Sequence, residues 1–193
     1  MQNTIESLGL LALGANLPTS AGNPRDSLKE AIRRINGAGI SFRAISRFWE
    51  TPAFPAGSGP DYVNAAATIV TDLPAEAVLA RLHEVEASLG RVRDGGRWGA
   101  RGIDLDLLAL GGQVFPDEQG QTAWRDLPLE EQMRRAPEEL ILPHPRLQDR
   151  GFVLAPLAEV APLWRHPIIG ATVAEMLTAL PSASFEGMRP LAA

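Results

Sequence analysis

Two aspartates separated by one residue are the strongest candidates for chemistry in this 193-residue chain. Asp104 and Asp106 lie within residues 103–108, an apolar run that is typical of a buried strand. Side chains at positions i and i+2 of a strand share a face, so the two Cα atoms would lie about 6.6 Å apart. Such a pair can bind Mg²⁺, which takes oxygen ligands from carboxylates and substrate phosphates. The alternative is a solvent-facing strand edge with two ordinary surface acids, because this pattern alone is a weak motif.

An arginine- and glycine-rich segment directly precedes the aspartates. Its arginines are Arg91, Arg93, Arg97 and Arg101. Guanidinium groups bind phosphate oxygens in bidentate pairs, and glycines allow the backbone to approach a ligand closely. A cationic loop beside two carboxylates therefore predicts a site for metal–polyphosphate chemistry. The alternative is a solvated basic loop, which is the commoner meaning of a run of charges.

Other polar and aromatic side chains are open to two interpretations when each is taken alone. Glu86 and His83 fall at the edge of the apolar stripe of a predicted helix, where a rim residue is the commoner case. Tyr62 and Phe152 offer aromatic faces for a flat ligand, and Asn64 could bind the edge of its ring. Without further information, both aromatic residues are more often part of a core.

These residues must be positioned by a fold that combines strands and helices. Apolar runs between turn residues predict strands at 8–13, 40–49, 62–70 and 103–110. Helical spacing and capping residues predict helices at 24–36, 74–89, 127–135, 152–160 and 173–180. The order of the first six elements predicts an α+β ferredoxin-like sandwich, with helices packed on a mostly antiparallel sheet. We expect a single domain over residues 1–193, with a longer connection at 113–142 and a loose tail at 181–193.

Composition narrows the possible classes of function. The net charge of −5 opposes a dedicated nucleic-acid binder, and the absence of cysteine excludes disulfides and thiolate metal sites. No apolar run is long enough for a membrane helix, and the first residues lack the basic region of a signal peptide. We therefore expect a cytoplasmic protein. A nucleotide would be bound without a P-loop or a Rossmann turn, because neither glycine motif is present.

Several short segments occur in an order that is typical of one enzyme family. They are residues 13–17, 51–52, 60–66, 90–93, 97–101, 103–106, 142–145 and 150–154. Together they resemble the hydroxymethyl-dihydropterin pyrophosphokinases of folate biosynthesis, over most of residues 8–165. The pattern Arg-Trp-Gly-x-Arg-x-x-Asp-x-Asp, at 97–106, is far more specific than the aspartate pair alone.

The resemblance implies an ATP-dependent enzyme that transfers pyrophosphate to the hydroxymethyl group of a reduced pterin and releases AMP. Two Mg²⁺ ions would be held by Asp104 and Asp106. The catalytic residues would be Arg91, Arg93, Trp98 and Arg101. The pterin would be bound by Thr51, Pro52, Phe54, Tyr62, Asn64 and Phe152. ATP would be bound by His83, Glu86, Arg93, Trp98, Arg101, Leu107, His144 and Arg150.

The chain also departs from the family pattern. Pro145 stands where members often carry an aromatic residue, and Glu139 and Ile141 show little resemblance on the adenine side. The connection at 113–142 is longer than usual, and it either covers the nucleotide site or contacts a partner. The rival interpretation is a non-catalytic RNA-binding module, since residues 150–153 faintly resemble part of an RNA-recognition strand. The rest of that motif is missing, so we expect the chain to bind ATP and a reduced pterin, but neither nucleic acid nor membrane. We also expect a monomer.

Overall fold

An antiparallel sheet of six strands forms the centre of the computed structural model, which describes residues 6–53, 57, 59–91 and 102–192. The strands are β1 (Ser7–Ala15), β2 (Ile40–Ile45), β3 (Trp49–Thr51), β4 (Tyr62–Thr71), β5 (Asp104–Leu110) and β6 (Arg189–Pro190). Their order is β5-β1-β4-β3-β6, and β2 pairs with the half of β4 that β3 leaves open. The long strands β1 and β4 are thus central, and the predicted antiparallel α+β arrangement is confirmed.

Helices cover both faces of this sheet. They are α1 (Pro24–Ile35) and α2 (Ala75–Ser88) on one face and α5 (Gly151–Val160) and α6 (Val173–Ala179) on the other, while α3 (Glu118–Arg125) and α4 (Leu129–Arg134) lie in the long connection. The first begins as predicted, because the Asn23 side chain accepts from the Asp26 N–H and Pro24 occupies the first helical position. In the described part of the chain, no helix has both the length and the apolar character that a membrane span requires.

The sheet separates two apolar cores, and alternate side chains of its central strands pack into one core or the other. Leu11 and Leu13 of β1 pack in the core that contains the buried residues of α1 and α2. Leu10, on the opposite face, packs in the core of α5 and α6. Asn64, Asp104 and Asp106 belong to the same face as Leu10, because paired residues and every second residue along a strand share a face. The sheet therefore presents these three polar residues on the face that α5 covers.

The structure corrects two boundaries. The predicted strand at 40–49 is divided, because Ser46 replaces regular pairing: its Oγ accepts from the Ala66 N–H at 2.9 Å. The prediction of a loose tail after Pro181 is wrong for the described residues. Ser182–Phe185 forms a 3₁₀ helix, β6 pairs with β3, and the Leu191 N–H donates to the Phe48 carbonyl at 2.7 Å. The tail completes the edge of the sheet.

A fully buried histidine lies between the last two helices. The Nδ1 atom of His166 accepts from the N–H groups of Ile168 and Ile169, both at 3.2 Å, so the ring proton must be on Nε2. Burial, and then the charge of Arg125, lower the pKa of His166 to about 4. The folded state therefore holds the ring neutral under conditions in which the unfolded chain binds a proton.

Stability is expected to fall in acid because of this group. The unfolded histidine has a pKa near 6.5, so its contribution is complete above about pH 6.5 and is lost as the pH falls toward 4. The loss attributable to His166 is about 2 kcal/mol between pH 7 and pH 5. Urea unfolding at both pH values, for the wild type and His166→Asn, measures it. Asn can still accept the two N–H bonds but does not titrate, and an equal pH dependence in both proteins would contradict the assignment.

Candidate active site

The two aspartates stand at the beginning of β5. Asp104 pairs with Gly14 of β1 and Asp106 pairs with Ala12, and both carboxylate side chains are partly exposed. The small β1 residues leave the space above this part of the sheet to the carboxylates. Among the residues the structure describes, no third His, Asp or Glu joins them in a group that could hold a metal by itself. The pair suits Mg²⁺, which is commonly held by one or two carboxylates and completed by water and phosphate oxygens.

A buried ion pair connects β5 to the end of α2. Oε1 of Glu86, which is only 1% exposed, accepts from the Leu105 N–H at 2.8 Å and from the Arg91 guanidinium. The same guanidinium nitrogen donates to Asp104 Oδ1 at 2.6 Å. Burial alone would lower the pKa of Arg91, but Asp104 and Glu86 outweigh it and the net pKa is raised. Arg91 is thus a fixed cation at the start of β5.

A polar pair lies on the other side of β1. The Asn64 side-chain amide donates to Thr51 Oγ1 at 2.7 Å, and both residues are buried. Asn64 of β4 and Asp104 of β5 are both paired with Gly14, so a single strand separates them. A Cβ atom on Gly14 would lie 2.6 Å from Asn64 Oδ1. The absence of a side chain at position 14 is therefore what allows Asn64 to extend over β1.

Adding that methyl group is expected to impair ligand binding. Gly14→Ala must displace Asn64 and break its bond to Thr51, so we expect the Kd for the reduced pterin alcohol to rise at least 10-fold. Overpacking should cost about 1–3 kcal/mol of stability. Gly112→Ala is the matched control, because nothing lies within 4 Å of its added Cβ. Fluorescence titration gives both affinities, and equal affinities for the two variants would argue against Asn64 as a binding residue.

The two aromatic residues predicted to bind the ligand both keep part of their surface exposed. Tyr62 lies two residues before Asn64 on the same face of β4 and is partly exposed. Phe152, in the first turn of α5, is 37% exposed, which is unusual for a core aromatic. The Arg150 guanidinium lies 5.6 Å from the centre of the Phe152 ring and makes a cation–π contact. Pro52 is exposed just beyond β3.

A cavity of about 390 Å³ begins at Asp106, within the size range of small-molecule sites. It is lined by Leu79, Asp106, Leu107, Trp124, Gln132, Arg135, Pro137, Glu139, Leu140, Ile141, His144, Pro145, Arg146 and Arg150. Leu107, His144 and Arg150 are thus brought together as the resemblance implied. Leu79 and Arg146 were not identified from sequence. Trp124, Gln132 and Arg135 belong to the 113–142 connection, for which covering the nucleotide site was one of two alternatives.

His144 is held in one tautomer. Its backbone N–H donates to the Leu108 carbonyl at 2.8 Å, and its Nδ1 accepts from the Arg146 N–H at 3.1 Å. The ring proton is therefore on Nε2. Burial and then the charge of Arg150 lower the pKa of His144 to about 3, so the ring is neutral near pH 7. A neutral imidazole of this kind can donate one hydrogen bond to a phosphate oxygen.

The remaining predicted residues have different outcomes. Phe54, Arg93, Trp98 and Arg101 lie outside the described residues. His83 is partly buried on α2 but is not part of the cavity lining. The described contacts of Glu86 are with Arg91 and Leu105, so the geometry gives it the part of a residue that positions Arg91.

Carboxylates, arginines and a neutral histidine around one cleft are groups that suit a polyphosphate and its metal ions. Residues 10–162 match the profile of the 7,8-dihydro-6-hydroxymethylpterin-pyrophosphokinase (HPPK) family. The chain belongs to this family.

Curated relatives agree with this membership, and a solved structure shares the fold. The 2-amino-4-hydroxy-6-hydroxymethyldihydropteridine pyrophosphokinase of Pseudomonas aeruginosa is 34% identical over 184 residues, which cover 94% of either chain. The enzyme of the same name from Methylorubrum extorquens is 34% identical, over 91% of this chain and 95% of its own. A Plasmodium falciparum HPPK-DHPS triple mutant superposes with a TM-score of 0.61 at 12% identity, which shows the fold alone. The superposition covers 92% of this chain but only 44% of that longer protein.

Proposed function

We propose that this chain transfers the terminal pyrophosphoryl group of ATP to the hydroxymethyl group of a reduced pterin, as a step of folate biosynthesis. The oxygen of the pterin alcohol attacks the β-phosphorus and its proton passes to solvent, the bond between that phosphorus and the α,β-bridging oxygen breaks, and AMP leaves with the bridging oxygen. The observation that carries the proposal is the row Asn64–Gly14–Asp104, in which one strand separates an amide suited to a ring edge from a metal-binding acid.

The pterin side of the site would consist of the polar pair and the two aromatic residues. The Asn64 amide can donate to and accept from the pyrimidine edge of the ring, and the Thr51 bond fixes its orientation. Tyr62 and Phe152 would stack on the two ring faces, which explains why Phe152 keeps 37% of its surface exposed. Pro52 and Phe54 would complete this side, as the family resemblance implies.

The phosphate side would be held by charge. Asp104 and Asp106 would bind two Mg²⁺ ions, which supply charge neutralisation and activation of the alcohol when bound. His144 and Arg150 would donate to phosphate oxygens, and Arg91 would keep Asp104 oriented. Arg93, Trp98 and Arg101 would lie on the loop that closes over ATP. The protein then contributes mainly position and electrostatic stabilisation, which is what phosphoryl transfer requires.

The strand order also supports a finer description of the fold. We propose that β1 to β5 with α1 and α2 form a ferredoxin-like sandwich within a single domain. The order β5-β1-β4, with β2 and β3 beyond β4, and two helices on one face support this description. The second apolar core, with α5 and α6, shares the same sheet, which supports one domain.

The reaction is tested by product analysis. The protein is mixed with ATP, Mg²⁺ and 6-hydroxymethyl-7,8-dihydropterin, and the products are identified by mass spectrometry. We expect AMP and the pterin diphosphate in equal amounts. ADP with a pterin monophosphate would indicate an ordinary kinase, and the absence of any pterin product would overturn the proposal.

A further inference from the structure

The cavity beside Asp106 has two chemically different parts. One part consists of His144, Arg146 and Arg150. Burial lowers the pKa of Arg146, and the charge of the nearby Arg150 lowers it further. Two neighbouring guanidinium groups repel each other unless an anion lies with them, so this part suits phosphate. The other part includes Trp124 and Arg135 from the long connection.

Two glutamines hold the long connection together and fix it to the rest of the cavity. Gln121 of α3 is fully buried and its Nε2 donates to the Pro143 carbonyl at 3.0 Å, next to His144. Nε2 of Gln132, on α4, lies 2.8–3.2 Å from the carbonyl oxygens of Trp124, Arg125 and Leu127. The bonds of Gln132 hold α3 and α4 together, and the bond of Gln121 fixes them to the 143–146 turn. The two helices therefore form one wall of the cavity.

Trp124 and Arg135 form a cation–π pair on this wall. The Arg135 guanidinium carbon lies 5.4 Å from the centre of the Trp124 ring, and both residues line the cavity. A guanidinium group in cation–π contact with an indole is preorganised, and guanidinium and indole surfaces both stack well on nucleobases. The face of the Trp124 indole, unlike the guanidinium groups of the other part of the cavity, offers nothing to the charge of a phosphate chain.

We propose that the Trp124–Arg135 pair binds the purine base of the nucleoside triphosphate, so that the long connection is the base-binding wall of the nucleotide site. This inference rests on the proposed function, because it assumes that ATP occupies the cavity. It assigns a nucleotide-affinity role to a segment that lies outside the motifs shared with the family. The pair acts on binding and not on the chemical step, because the base is remote from the phosphorus that reacts.

The test separates the base from the phosphates. Isothermal titration calorimetry measures the Kd of Mg²⁺–ATP and of Mg²⁺–tripolyphosphate, which has the phosphates but no base. For Arg135→Ala we expect the Kd of ATP to rise about 5- to 20-fold and that of tripolyphosphate to stay within about twofold. Trp124→Ala should act in the same direction, and Trp124→Phe should stay near the wild type because it keeps an aromatic face.

Arg134→Ala is the matched control, since it removes the same charge one residue away. The Arg134 side chain is 72% exposed and is not part of the cavity lining. Equal effects of Arg134→Ala and Arg135→Ala, or equal losses for both ligands, would overturn the inference. Turnover distinguishes it from the proposed function. If the wild type forms the pterin diphosphate but Arg135→Ala binds ATP normally, only the base-binding role of the Trp124–Arg135 pair is disproved. A wild type that forms no such product disproves the proposed function, whatever Arg135→Ala does.

Discussion

Asp106→Asn is expected to lower kcat by about 10³-fold or more while the free energy of unfolding stays within about 0.5 kcal/mol of the wild type. The carboxylate is partly exposed at the start of β5, lines the cavity proposed to bind the nucleotide and faces away from the core of α1 and α2. Asn preserves its size but removes the charge that would hold Mg²⁺ between protein and phosphate. Steady-state kinetics at saturating Mg²⁺, with urea unfolding, measures both quantities.

The neighbouring aspartate should behave differently. Asp104→Asn removes the same kind of charge, but it also takes away a partner of the Arg91 guanidinium, so a loss of stability should accompany the loss of rate. Asp72→Asn, at an exposed position just beyond β4, is the control for net charge and should leave both rate and stability unchanged. If Asp106→Asn turns over at a rate near that of the wild type, the aspartates are not the metal site.

Much of the scaffold could be predicted because its signals are local. The helix at Pro24 is specified by a capping asparagine and a proline within four residues. The strand that carries Asp104 and Asp106 is specified by an apolar run and by the Gly111 turn. Since the period of a strand is two, the same run also placed both carboxylates on one face.

The parts that sequence could not predict depend on pairings between distant segments. The importance of Gly14 appears only when β1 lies between β4 and β5, which are 50 and 90 residues away. Periodicity placed Glu86 at a helix rim, but the structure buries it, because the Leu105 N–H and Arg91 satisfy its carboxylate. The 113–142 connection had no pattern that revealed which surface it covers, and the Gln121–Pro143 bond and the cavity lining show this.

Glu86→Ala is expected to destabilise the protein by about 3–5 kcal/mol. The substitution leaves the Leu105 N–H without its acceptor and removes one of the two carboxylates that balance the Arg91 charge. An unbalanced buried cation costs more than the ion pair contributes, which is why removal of one partner is the severe change. Glu86→Gln should cost less, because its amide oxygen can still accept from Leu105.

The same helix supplies the control for this prediction. Glu84 and Arg81 form an ion pair of 3.1 Å in which the carboxylate side chain is 67% exposed, so Glu84→Gln should cost less than about 1 kcal/mol. Urea unfolding of Glu86→Ala and Glu84→Gln compares the loss of a buried carboxylate with the loss of an exposed one on the same helix. The double variant Glu86→Gln, Arg91→Gln should cost less than the sum of the two single variants, because each single change already breaks the Glu86–Arg91 pair. A Glu86→Ala protein as stable as Glu84→Gln would mean that Arg91 does not depend on Glu86. In that case the start of β5, and with it the orientation of Asp104, must be held by other contacts.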